Sequence, residues 1–135
     1  MERFIEATEA FNRMTERAEA NLEGLRGFLG TMDPEIQFEP QQAALEGGFV
    51  GHEGVIQWLA DLAQHYAGGH MELPDIRDLE DRVLALGTLR VTGRGSGIET
   101  GVPVAVLACF ENGLMTHFKD YGDKRQALEA AGLSE

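Results

Sequence analysis

The sequence predicts an α+β domain in which helices come first and pack on one face of a curved, mostly antiparallel sheet. Three observations predict it. Apolar residues recur at three- and four-residue steps as far as Tyr66 and then alternate with period two as far as Tyr121. Asn112-Gly113 lies between two such alternating runs, and both positions tolerate the positive φ of a two-residue hairpin turn. The 135 residues, 43% hydrophobic and 25% charged, are globular in composition and sufficient for one domain, 1–135, with no linker, internal repeat or low-complexity segment. A strongly twisted sheet curling round helices encloses a cone, a natural pocket for a small molecule.

The elements follow in order. Phe4, Ala7, Phe11 and Met14 form the stripe of a first helix. Leu22, Leu25, Phe28, Leu29 and Met32 form a second, expected to stop at Asp33-Pro34 because the residue before proline is pushed out of helical geometry. Ile36 and Phe38 alternate with Gln37 and Glu39 in a short strand over 35–40. Gly47-Gly48 and Gly51 mark a loop. A third helix starts near Gly51, carries Glu53 in its first turn, presents Val55, Trp58, Leu59, Leu62 and Tyr66, and is expected to end at Gly68-Gly69. Strands are then expected over 71–78, interrupted by Pro74, and over 83–94, 102–110 and 114–121. Asp123 caps a short closing helix over 124–131, with Gly132 just past its end.

Eleven Lys plus Arg against twenty-three Asp plus Glu give a net charge of −12, which argues against nucleic-acid and anionic-membrane partners. The longest uncharged apolar run, 102–110, is far short of the roughly 18 residues of a membrane span. The N-terminus has no basic stretch followed by an apolar one, so no secretory signal is visible. The single cysteine, Cys109, permits no internal disulfide and no cysteine-based zinc site. A reducing, cytoplasmic setting is the expectation.

Four stretches carry a resemblance: 9–13 (EAFNR), 32–40 (MDPEIQFEP), 51–55 (GHEGV), and the run from Glu111-Asn112-Gly113-Leu114 through Phe118-Lys119-Asp120-Tyr121 to Leu133. In this order they resemble the NTF2-like superfamily, specifically its SnoaL-like branch, and the likeness covers nearly the whole chain. It implies a cone-shaped pocket. It fixes no single activity, because this fold hosts isomerases, cyclases, hydrolases, dehydratases and pure binding domains. The stretch over 15–21 lengthens the usual connection after the first helix.

Asp120 is the foremost catalytic candidate. The segment 118–121 is similar to the one that supplies a pocket carboxylate in limonene-epoxide hydrolases of this superfamily. A carboxylate in an apolar cone would have its pKa raised by desolvation, which suits proton transfer near neutrality. The alternative is an Asp120 at the strand end paired with Lys119 or Lys124. Gln37 and Glu39 share one face of the first strand, and the resemblance implies that this face lines the pocket, where the hydrolases place a tyrosine and an asparagine. Glu39 would then be a second acid near Asp120; otherwise it is solvated at the rim. The hydrolase relay also needs an arginine and a second aspartate two residues apart, and 87–91 offers only Arg90, which disfavours epoxide hydrolysis.

None of His52, His65, His70 and His117 forms a helical i, i+4 metal pair, and no metal or cofactor is expected. His117 faces the pocket only if a bulge shifts the last strand. Trp58, Tyr66, Phe11, Met14 and Phe118 are candidates for the pocket wall, where they are core, ligand contacts or both. A cone so capped would prefer a hydrophobic ligand. Two functions therefore stay open. One is a cofactor-independent enzyme of isomerase, cyclase or hydrolase type using Asp120, with Glu39 or His117 assisting. The other is a non-catalytic module that binds a small molecule or a protein. The run 102–110 is apolar on both faces while the helices are expected to cover one, so something must bury the other face, and the resemblance implies a homodimer through the sheet.

Overall fold

A computed structural model describes residues 1–15, 22–41 and 48–133. The lengthened connection read at 15–21 therefore lies, beyond Thr15, outside the described residues, as does Gly47. The order is α1 (Glu2–Thr15), α2 (Leu22–Leu29), β1 (Met32–Glu39), β2 (Phe49–Val50), α3 (Gly51–His65), β3 (Tyr66–Asp78), β4 (Arg82–Gly93), β5 (Glu99–Glu111), β6 (Leu114–Asp120) and α4 (Lys124–Ala130). No helix among the described residues is long and apolar enough to cross a membrane.

The six strands form one sheet in the order β2-β1-β6-β5-β4-β3. Every neighbouring pair is antiparallel except β1 and β6, which run parallel. The hairpin at 112–113 forms as expected, with φ of 52° at Asn112 and 79° at Gly113. Pro74 sits where the β3–β4 register shifts, between Glu72 and Asp75. Gly87 of β4 lies opposite: a Cβ there would strike the Glu72 carbonyl, so the bulge and the glycine require each other.

Two helix ends differ from expectation. α2 stops at Leu29 because the Thr31 hydroxyl donates to the Phe28 carbonyl at 2.6 Å, and Met32 passes into β1 opposite Met115. α3 stops at His65, and Tyr66 is already extended, at φ −128° and ψ 139°. Its terminus is closed from the far end of the sheet. Arg94 donates its backbone N–H to the His65 carbonyl, and its guanidinium donates to the carbonyls of Ala63 (2.9 Å) and Tyr66 (3.3 Å). The Gly68-Gly69 pair therefore lies in β3 and is no helix cap.

The apolar residues divide into two clusters, one on each face of the sheet. On the inner face α1, α2 and α3 pack Phe4, Phe11, Phe28, Val55, Trp58 and Leu62 against the sheet. On the outer face α4 places Ala127, Leu128 and Ala131 over Leu84, Leu86, Ala105 and Leu107. This corrects the expectation that helices cover only one face. The outer side of β4 and β5 is buried within the chain itself, so it no longer calls for a second copy.

Candidate functional site

An apolar hollow lies between the helices and the inner face of the sheet. α1 supplies Phe4, Ala7, Thr8 and Phe11 to its wall, α2 supplies Phe28 and α3 supplies Trp58. The strands supply Met32 and Phe38 from β1, Met71 and Leu73 from β3, Val106 from β5, and Met115 and Phe118 from β6. The volume of the hollow is about 40 Å3.

Five rings run through this wall as a continuous chain. Phe28 meets Phe11 with centroids 5.9 Å apart, Phe11 stacks on Trp58 at 5.9 Å, Trp58 tilts against Phe38 at 5.0 Å, and Phe38 stacks on Phe118 at 4.7 Å. These are the offset and tilted separations that aromatic quadrupoles favour. Three of the chain's five methionines, Met32, Met71 and Met115, complete the wall. Among the described residues its only side-chain nitrogen or oxygen atoms are the Thr8 hydroxyl, which donates to the Phe4 carbonyl at 3.0 Å, and the Trp58 indole nitrogen. No ionisable side chain among the described residues lines it.

Asp120 shares the inner parity of Phe118, opposite Val106, but stands at the end of β6 beyond the hollow's wall. Its carboxylate is engaged. Oδ1 accepts from the backbone N–H groups of Ala105 and Gly122, both at 2.9 Å, and Oδ2 accepts from the Gln41 amide at 3.1 Å. Lys119, the suggested partner, lies instead over the Tyr121 ring, 5.0 Å from its centroid. The residue thus fastens the end of β6 to β5 and to the turn that launches α4.

The face of Gln37 and Glu39 is the outer one, a correction to what the resemblance implied. Ile36 and Phe38 are 0% and 1% exposed, and their burial against the helices turns the polar pair to the opposite side. Gln37 is exposed there. Glu39 does not meet Asp120; its Oε2 lies 2.5 Å from Nε2 of His117 on the parallel neighbour β6. A bulge does occur in β6, between Met115 and His117, but beyond it His117 pairs with Cys109 on the outer face. Glu39 and His117, both about one-third exposed in their side chains, are thus brought together on the sheet face away from the hollow.

Of the aromatic and methionine candidates, Phe11, Trp58 and Phe118 line the hollow, while Met14 and Tyr66 pack against the surrounding core. Met71 and Leu73 escaped attention because β3 reads as a weak strand broken by proline. Two of the other histidines serve backbone: His52 meets the Met32 carbonyl at 3.0 Å and His65 the Asp61 carbonyl at 2.9 Å. Arg90 pairs with Glu72 at 2.8 Å. Burial pushes the Cys109 thiol above its ordinary pKa. The Arg77 guanidinium, hydrogen-bonded to Asp75, holds that carboxyl below its ordinary value. No group of three or more histidine, cysteine, aspartate or glutamate side chains among the described residues could hold a metal ion.

Comparisons with known proteins agree with this architecture. Residues 3–118 match a family model described as a SnoaL-like domain. The sequence matches none of the curated proteins. Among solved structures, an NTF2-like protein of unknown function from Burkholderia pseudomallei K96243 is similar at 24% identity and TM-score 0.75, over 96% of this chain and 94% of that one. TerC, co-crystallised with polyporic acid, is similar at 20% identity and TM-score 0.73, over 95% and 94%. A protein of ketosteroid isomerase-like fold from Catenulispora acidiphila DSM 44928, in complex with trimethylamine, is similar at 16% identity and TM-score 0.72, over 98% and 94%.

Proposed function

The chain belongs to the SnoaL-like domain family, and from that premise we propose that it binds a small, uncharged, apolar molecule in its inner hollow. One observation carries this reading: among the described residues, the wall of rings, thioethers and aliphatic groups presents no ionisable side chain. A charged ligand would lose its hydration there without a counter-ion, whereas an apolar one loses only contact with water. Structures of the same fold that hold polyporic acid or trimethylamine support the idea of a small-molecule site. The single cysteine supports a reducing, cytoplasmic setting.

Trp58 makes the reading testable, because it is the chain's one tryptophan and stands in the wall. Titration with benzene, toluene and p-xylene is expected to give a saturable change in its fluorescence and a higher melting temperature. If none of the three produces either, the binding reading is lost.

Acid/base catalysis is the second reading, and the contact between Glu39 and His117 favours it. Glu39 would hold the imidazole and His117 would move the proton. Asp120 would have to release its three donors to take part. In this reading, turnover detected against mixed metabolites disappears in His117→Asn and Glu39→Gln while the Trp58 response to benzene persists. Full turnover in both variants removes it.

A further inference from the structure

The wall of the hollow is not uniformly buried. Most of its residues are sealed, but Thr8, Met71, Leu73 and Phe118 are only partly so. Three of these four belong to one seam, Thr8 on α1 and Met71 and Leu73 on the outermost strand β3 against which α1 packs. The fourth, Phe118, is fixed by its stack on Phe38. Within the seam the backbone at Met71 is clamped, since Asn12 donates its amide to the Met71 carbonyl at 3.0 Å and accepts the Met71 N–H at 2.7 Å. A fixed backbone thus carries an unbranched side chain of three rotatable bonds, partly exposed to solvent and partly in the hollow. Met32 and Met115, 2% and 1% exposed, have no such freedom.

We propose that Met71 is the gate and size filter of the hollow, so that a small molecule enters between α1 and β3 by rotation of this one side chain. This rests on the binding reading above for its purpose, but not for its test. The entry route exists whether or not a natural ligand uses it. The hollow is small, about 40 Å3, so a larger occupant must displace part of the wall. Of its partly exposed side chains among the described residues, Met71 alone is an unbranched chain on a clamped backbone. Ligand size would therefore be set at position 71.

Collisional quenching of Trp58 fluorescence by acrylamide, a small neutral molecule, reads the route without any ligand. Met71→Ala is expected to raise the quenching constant about threefold and Met71→Phe to lower it about twofold, because truncation opens the seam and a rigid ring fills it. General loosening of the core would raise quenching in both variants, so the opposite sign in Met71→Phe separates a gate from a packing defect. Phe118→Leu is expected to leave the constant within about 1.5-fold of wild type if the ring is wall and not door. No change in either position-71 variant, or a rise in both, or a larger rise in Phe118→Leu than in Met71→Ala, overturns the proposal. Failure of benzene to bind wild type while the position-71 variants respond as expected would count against the binding reading alone.

Discussion

β4 and β5 are apolar on both sides, and their two faces are packed in opposite ways. Outward, Leu84, Leu86, Ala105 and Leu107 meet the short side chains of Ala127 and Ala131 around Leu128. Leucine against alanine lets a seven-residue helix come close and leaves the pieces interlocked. Inward, Val83, Ala85, Val104, Val106 and Ala108 are small or β-branched, and the distance to the helices is spanned by large rings and thioethers. Rings held 4.7 to 5.9 Å apart by their own stacking cannot collapse to fill every gap between them. One pair of strands therefore supports a closed layer on one side and a hollow on the other. Side-chain size in the covering helices decides which.

Several experiments break or sharpen this contrast. The largest effect is expected for Phe38→Ala, which removes a central ring of the inner chain and should lower stability by about 3–5 kcal/mol. Because it enlarges an existing apolar space, benzene should raise the variant's melting temperature more than that of wild type; equal shifts would mean that the inner face closes like the outer one. Leu84→Ala, on the outer face, should lose about 2–4 kcal/mol with no recovery on adding benzene. Its melting temperature should also be independent of protein concentration if α4 alone covers this face. A concentration-dependent transition, together with a dimer by light scattering, would show that two copies share the sheet as the apolar run at 102–110 suggested. Asp120→Asn, at the join between β6 and α4, keeps an acceptor but loses its charge, and about 1 kcal/mol is expected by chemical denaturation. An unchanged midpoint would show that the carboxylate does not fasten this join.

The smallest effect concerns Cys109, whose thiol is raised by burial. A raised thiol favours the protonated form in the folded state, so its contribution to stability is full below the unfolded value near 8.5–9 and is lost as pH rises through the folded one. Alkylation by iodoacetamide at pH 8 is accordingly expected to run more slowly in the native protein than in urea. Equal rates would place the thiol in open solvent.

The sequence made the elements legible wherever the signal was local. The period of three to four through Phe4, Ala7 and Phe11, the turn at Asn112-Gly113 and the Asp123 cap, which accepts from the Arg125 N–H at 2.8 Å, needed only neighbouring residues. What escaped was fixed at a distance. Arg94 ends α3 from thirty residues away, and the two-residue β2 exists only because Gln37 and Phe38 are there to pair with it. The wall of the hollow was legible in part, in Phe11, Trp58 and Phe118. The face of Glu39 was legible too, since Ile36 and Phe38 alternate with it, yet the resemblance pointed the other way. Composition cannot say whether a polar residue at a strand's end looks into a cone. Asp120 shows why: its parity is inward while its oxygens are occupied by Ala105, Gly122 and Gln41.

The clamp of Asn12 on Met71 has a further consequence. β3 is the last strand of the sheet, and its unshared peptide groups form a surface on which a foreign strand could crystallise. At residue 71 the asparagine amide plays the part of that strand, answering one donor and one acceptor from a helix of the same chain. One donor and one acceptor of this border are thus answered from the first helix, a pairing that Asn12→Leu would remove while keeping a good helix former.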